Sequence, residues 1–168
     1  NRDSASTFHY LSSYYKVRSL TEQMETYFNQ NEEEFILYFL SNSELNILNQ
    51  EKYESLLSKK LIEFIERPEM LSIPVAALYR VLSKYYENLK NKEQCQPELT
   101  EFLFKYLEKN GRKASCLFTF IDLSKEKSEY LYRLLHEHSK DFDFHFINSS
   151  LLKTLYKIES EFIETTQI

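Results

Sequence analysis

Phe64-Ile-Glu-Arg-Pro68-Glu-Met-Leu-Ser-Ile-Pro74-Val-Ala-Ala-Leu78-Tyr-Arg-Val-Leu82 holds two of the three prolines in the chain. It reads as the end of one helix, a corner, and the start of another. A residue before proline is biased out of the helical region, so Arg67 should close the first helix ahead of Pro68. Pro74 has its φ pre-set for a first helical position and loses no hydrogen bond there. Leu78, Tyr79, Val81, Leu82, Tyr85 and Tyr86 then supply an apolar face at helical spacing. Leu71 and Ile73 fill the corner. Corners of this kind set how paired helices cross, which predicts an all-α architecture.

Composition agrees. The 168 residues include one Gly, 13 Tyr and 13 Phe, and no Trp. Tight β-turns and phosphate-cradling loops depend on Gly, so one Gly argues strongly against a turn-dense β fold and a Gly-rich nucleotide loop. Long helices with short polar connections need little Gly. The net charge of −5 disfavours binding to nucleic acid or anionic membranes. No apolar run approaches the roughly 18 residues of a membrane span. Cys95 and Cys116 have no metal-ligand spacing and read as reduced thiols, which implies a cytoplasmic protein. The chain begins at Asn1 without Met and shows no signal peptide, so upstream sequence is expected.

Working outward, Phe8, Leu11, Tyr14 and Tyr15 recur at helical spacing. Ser19 with Glu22 forms a capping box for a helix that carries Leu20, Met24, Tyr27 and Phe28. Asn31 with Glu34 repeats the signal before Phe35-Ile-Leu-Tyr38-Phe39-Leu40, a run apolar enough to be buried on most sides. Residues 43–49 are ambiguous. Tyr53, Leu56, Leu57, Leu61, Phe64 and Ile65 predict one helix from Asn49 to the corner. Residues 88–96 read as a mobile loop. Pro97 opens a helix with Leu99, Phe102, Leu103, Tyr106 and Leu107 inward, and Gly111 is its left-handed stop. Residues 114–123 suit a short buried helix or a strand. Ser124 should start the next helix, which carries Tyr130, Leu131, Leu134 and Leu135. Phe142, Phe144 and Phe146 alternate with Asp141, Asp143 and His145 as an extended segment would. They read as a plug between the last two helices or as an edge that receives a partner. Asn148 or Ser149 caps a last helix with Leu151, Leu152, Leu155, Ile158 and Phe162. The expected fold is about eight helices stacked as antiparallel hairpins, with no sheet or at most one short extended segment.

No catalytic site, cofactor site or metal site is legible. Glu32, Glu33 and Glu34 occupy a first helical turn, where negative charge suits the helix dipole. His136 and His138 at i, i+2 point about 200° apart on a helix and cannot share an ion, so both read as surface histidines. His145, a few residues on, could approach them if the chain turns back, and His9 lies near the start of a helix with no obvious partner. A nucleophile elbow needs more Gly than this chain has. Cys116 sits in an apolar run, where burial makes a thiol inert. Aromatics at helical spacing are core before they are base-stacking platforms.

The stretch Phe8-His-Tyr-Leu-Ser-Ser-Tyr-Tyr-Lys-Val-Arg-Ser-Leu20, with Met24 and Phe28, resembles the closing helix pair of a BTB domain. Phe64, Glu69-Met-Leu-Ser-Ile-Pro74, Leu78, Val81 and Leu82 resemble the opening of a BACK domain, the helical module that follows BTB in substrate adaptors. Phe102-Leu-Phe-Lys-Tyr-Leu107, Ala114-Ser-Cys-Leu-Phe118 and residues 142–152 look like the N-terminal region of large protist ankyrin-repeat proteins with BTB-like heads. The Trp of the usual BACK pattern is absent; Tyr85, Tyr86 and Tyr106 stand at bulky positions instead. The resemblance implies a BTB-proximal helical pair over 1–40 and a BACK-like domain over 41–168, or one continuous domain. It also implies a non-enzymatic adaptor that joins an upstream BTB-like head to a downstream recognition domain. The expected partners are proteins: a cullin of a ubiquitin ligase, and a second copy through the upstream head. The residues implied for interaction are Phe8, Leu11, Tyr15, Phe35, Tyr38 and Phe39. The rival expectation is a scaffold domain of an ankyrin-repeat protein without a ubiquitin role.

Overall fold

Pro68, Pro74, Pro97 and Gly111 each stand at an element boundary in the computed structural model. The structure describes residues 7, 8, 10, 11, 14–41, 50–89, 97–125 and 127–166. Within these the chain is all-α, built from α-helices and 3-10 segments with no strand. Backbone contacts group it into two units, Asn1–Lys84 and Tyr85–Ile168.

The first unit begins with helical residues that end where the Tyr15 amide donates to the Leu11 carbonyl, 2.9 Å. Lys16 follows at φ 56°, a left-handed stop that costs a non-Gly residue some strain. Helix α1 (Arg18–Gln30) and helix α2 (Glu32–Ser41) come next. The capping box expected at Ser19 does not form, because Val17 is the N-cap and no side chain caps it. Ser19 is already inside the helix, where Glu22 binds Arg18 instead, 3.0 Å. Asn31 serves the end of α1, donating its side-chain amide to the Tyr27 carbonyl at 2.9 Å. Glu32, Glu33 and Glu34 open α2; their side chains lie outside the described residues. Phe28 and Phe35 meet edge-on at 4.7 Å across the hairpin. Phe35, Ile36, Leu37 and Leu40 are all buried, which accounts for the run's lack of a polar face.

The single helix expected between residue 49 and the corner is split. Helix α3 (Gln50–Lys59) and the one-turn helix α4 (Leu61–Phe64) meet at Lys60. Arg67 is extended (φ −75°, ψ 130°), as its position before proline dictates. Pro68–Ser72 forms a 3-10 segment that buries Met70. Pro74 stands one residue before helix α5 (Val75–Asn88), not inside it, and its carbonyl accepts the Leu78 amide at 3.0 Å. Ala77, Leu78, Val81 and Leu82 are buried along α5. Residues 43–49 lie outside the described residues, as do 90–96 of the expected loop, including Cys95.

In the second unit, helix α6 (Pro97–Asn110) buries Leu99, Phe102, Leu103, Phe104, Tyr106 and Leu107. Gly111 follows at φ 69°, ψ −166°. That pair of angles is accessible essentially only to Gly, a stricter demand than an ordinary left-handed stop. A Cβ there would meet nothing within 4 Å, so the constraint is backbone conformation, not space. Of the two readings of the 114–123 stretch the helical one holds and the strand does not: Arg112–Phe120 winds as 3-10 helix and buries Ala114, Leu117 and Phe118. Helix α7 (Ser128–His136) starts four residues later than Ser124, because Ser124 is held in a turn by Asp122. The Asp122 carboxylate accepts from the Ser124 hydroxyl at 2.7 Å and from its amide at 3.2 Å.

The alternating Phe142, Phe144 and Phe146 do not form an extended edge. Helix α8 (Phe144–Thr166) starts there, and Asp143 caps it, accepting the Phe146 amide at 2.7 Å. The expected caps, Asn148 and Ser149, are already helical. Phe142 and Phe146 are four residues apart, and their rings stack at 5.0 Å. Phe142 is buried against Phe118, also at 5.0 Å, so it closes a core and offers no edge to a partner. The Phe144 side chain lies outside the described residues.

Candidate interaction surface and internal polar clusters

A group of exposed apolar residues stands at the start of the chain. Phe8 (55% exposed), Tyr10, Leu11, Tyr14 (68%), Tyr15 (69%) and Val17 all face solvent. Tyr14 packs edge-on against Tyr15 at 5.1 Å and stacks with Tyr10 at 6.3 Å, so the aromatics touch one another and not a core. Grouped apolar exposure of this kind is unusual on a folded surface and marks a place where something binds. Of the six residues implied by resemblance, Phe8, Leu11 and Tyr15 lie on this face. Phe35 does not: it is fully buried, with Tyr27 and Tyr38 edge-on around its ring. No partner can reach it. Tyr38 is half-buried. The Phe39 side chain and His9 lie outside the described residues.

Unit one also holds a buried carboxylate. Glu54, on α3, is almost fully buried and accepts a hydrogen bond from Arg80 Nε on α5 at 2.8 Å. Lys84 Nζ lies 3.7 Å from the other Glu54 oxygen and 3.3 Å from Ser55 Oγ. A buried carboxylate is tolerated only when paired in this way. The cluster clasps α3 to α5 across α4 and the corner. Glu51, 3.9 Å from Lys84, adds a second carboxylate, so two cations face two anions.

Unit two has a denser cluster. Arg133 lies over the Phe104 ring at 4.5 Å and binds Glu101 at 2.7 Å and Glu108 at 3.4 Å. Glu137, one turn further along, is 3.7 Å away. His138 was expected at the surface beside His136, but it is buried against Phe104. Its Nδ1 is 3.4 Å from Asp141, and its Nε2 has no hydrogen-bond partner. The chain turns inward after α7 ends at His136, which a helical wheel cannot show. His136 itself is exposed against Tyr132, with ring centroids 4.2 Å apart. The two nitrogens of His138 face different carboxylates. Among the described residues no group of three His, Cys, Asp or Glu could hold a metal ion.

Cys116 also departs from expectation. It lies exposed on the second 3-10 segment, not in the core, because a three-residue turn carries Leu117 and Phe118 inward and leaves Cys116 outside. Partial burial of the sulfur still raises the thiol pKa, so its reactive thiolate form is disfavoured. Partial burial alone would raise the Asp122 carboxyl as well. The Ser124 hydroxyl and amide, with the nearby Lys153 and Lys125, outweigh it and hold this group below the usual carboxylate range.

Burial and, secondarily, the Cys116 sulfur push the Tyr106 phenol up to about 12. A pKa raised in the folded state leaves stability intact below the unfolded value near 10 and removes it as pH rises toward about 12. Tyr106→Phe should therefore flatten the alkaline limb. Between pH 10 and 12, the wild type is expected to lose several degrees more of melting temperature than the variant. The other tyrosines cancel in that comparison, and parallel alkaline limbs would contradict the assignment.

Comparison with known proteins finds no relative: no family model matches the chain, and no curated protein or solved structure is detectably similar to it.

Proposed function

We propose that this chain is a non-enzymatic protein–protein interaction module of the BTB-BACK adaptor type. In this reading its helices join an upstream BTB-like head to a downstream recognition domain, and the N-terminal aromatic face docks a protein partner, a cullin in a ubiquitin ligase. The observation that carries the reading is the exposure of Phe8, Tyr10, Leu11, Tyr14 and Tyr15 on one stretch. Tyrosine is over-represented among residues that dominate binding energy, because it combines a rigid apolar ring with a hydrogen-bonding tip. No described helix is long and apolar enough to cross a membrane. The internal ion clusters are spent on packing, which supports a binding role over chemistry.

The test is cullin binding by the full-length protein, with and without Tyr14→Ser/Tyr15→Ser. Two aromatic anchors of this kind are each worth more than about 1 kcal/mol, so the double variant should bind at least about tenfold more weakly while retaining its helical circular dichroism. Binding that is unchanged by the substitutions removes this face from the interface. Absence of any cullin association leaves the scaffold reading in its place.

A further inference from the structure

Two features stand apart from the adaptor reading. Leu152, Leu155 and Tyr156 are exposed along α8. The imidazole of His138 is the opposite case, a polar ring only 8% exposed. His138 follows the end of α7, where its amide donates to the Arg133 carbonyl at 3.2 Å. The ring packs on Phe104 of α6, with centroids 5.6 Å apart. Nδ1 faces Asp141 at 3.4 Å. Nε2 is buried without a hydrogen-bond partner and lies 4.0 Å from the Glu108 carboxylate of α6.

A neutral imidazole carries one ring hydrogen and one bare lone pair, whereas an ionised carboxylate can only accept. With the hydrogen on Nδ1, a lone pair faces Glu108; with the hydrogen on Nε2, a lone pair faces Asp141. Either neutral tautomer therefore sets a lone pair against an anion. The imidazolium alone offers a hydrogen to both sides. The surrounding charge favours the same form. Arg133 of α7 already serves Glu101 and Glu108 of α6 at 2.7 and 3.4 Å, and Glu137 at 3.7 Å. One guanidinium thus meets three carboxylates before Asp141 is added. Lys105, Lys109 and Lys140 on the neighbouring segments are exposed. Burial penalises a charged ring, but two carboxylates beside it and the Phe104 face beneath it oppose that penalty.

We infer that His138 is a proton-operated latch: as imidazolium it ties the turn between α7 and α8 to α6 through Asp141 and Glu108, and on losing its proton it releases that turn. The gap to Glu108 is about 1 Å longer than a hydrogen bond. The Glu108 side chain is half exposed, so its carboxylate is free to close on the ring when the second hydrogen arrives from solvent. Helix α8 begins at Phe144, just beyond the turn, so the latch sets how firmly the start of α8 is held. The folded chain then holds a proton that the unfolded chain gives up. Stability falls with rising pH wherever the folded state binds more protons, so acidification across the histidine range should stabilise the fold.

Thermal melts of the whole chain at about pH 8 and about pH 6 test this with the wild type, His138→Gln and Glu108→Gln. On acidification the wild type should gain several degrees of melting temperature relative to His138→Gln, which cannot take up the proton. The other histidines and the carboxylates cancel in that difference. Glu108→Gln should shrink the gain, whereas its lost contact with Arg133 weighs equally at both pH values. Equal responses in the wild type and His138→Gln overturn the inference. So does a wild type that loses ground on acidification, the result for a ring buried in its neutral form. Nitrogen-15 NMR of the His138 ring in the wild type is independent of any variant's folding. Both ring nitrogens should carry hydrogen at about pH 6, and a single neutral tautomer from about pH 8 to about pH 6 overturns the inference. Hydrogen exchange reads the latch itself: protection of the 138–143 amides should fall at the higher pH in the wild type and not in His138→Gln. Protection that does not depend on His138 refutes the latch even if the ring binds its proton.

Discussion

Leu78→Asp is expected to abolish cooperative folding of the N-terminal unit. Leu78 is completely buried on α5 between Ala77 and Val81–Leu82, which are buried too. Removing the leucine forfeits about 2–5 kcal/mol of burial and packing. The carboxylate put in its place costs several kcal/mol more, because the local cations Arg80 and Lys84 are already engaged by Glu54. The sum is on the order of the entire stability of a small domain. The measurement is a thermal melt followed by far-ultraviolet circular dichroism. A soluble Leu78→Asp protein with a sharp transition would show that this face of α5 is not core. Pro74→Ala is the matched control. It removes no bonded donor, since Pro74 contributes only its carbonyl to Leu78, and should change stability by no more than about 1 kcal/mol.

Phe104→Ala should be the most damaging truncation in the second unit, at about 3–5 kcal/mol. Phe104 is fully buried at the centre of a ring cluster: Phe118 lies edge-on at 5.0 Å, Tyr130 stacks at 5.9 Å and His138 packs at 5.6 Å. The Arg133 guanidinium rests on the same ring. Truncation therefore opens a cavity and also removes the platform under Arg133 and His138. Guanidinium denaturation with near-ultraviolet detection reads the loss, and hydrogen exchange should show reduced protection in α6 and α7. A cost below about 1 kcal/mol would mean that the cluster can collapse around the void and is not the keystone of this unit.

Much of this was legible from local stereochemistry. Proline cannot donate and restricts its predecessor, so Arg67, Pro68, Pro74 and Pro97 mark boundaries to within a residue. Gly111 marks another, because its angles exclude side chains. The 3.6-residue period located Leu78, Val81, Leu82, Leu103 and Leu107 in the core. The misreadings share a cause: each pattern fits two geometries. Phe142 and Phe146 match a strand at period two and a helix start at i, i+4, and the Asp143 cap decides for the helix. Ser124 resembles an N-cap, but its hydroxyl is taken by Asp122. Cys116 lies in an apolar run, but a 3-10 turn distributes that run differently from an α-helix.

The candidate surface was only half visible. The continuous apolar run from Phe35 marked burial, and Tyr27, Phe28 and Tyr38 enclose that ring, whereas Phe8, Leu11 and Tyr15 stand at the helical spacing of core positions and yet face solvent. Sequence alone determined that this protein is all-α, where several of its helices begin and end, and which positions along them are apolar, because those depend on backbone sterics and on the helical period within a few neighbouring residues. Tertiary structure alone decided that Glu54 is buried against Arg80, 26 residues away. It alone decided that His138 turns inward to Phe104, and that the first aromatic stretch and the outer side of α8 are exposed. Those outcomes depend on which distant surfaces meet, and one strand of text does not carry that pairing.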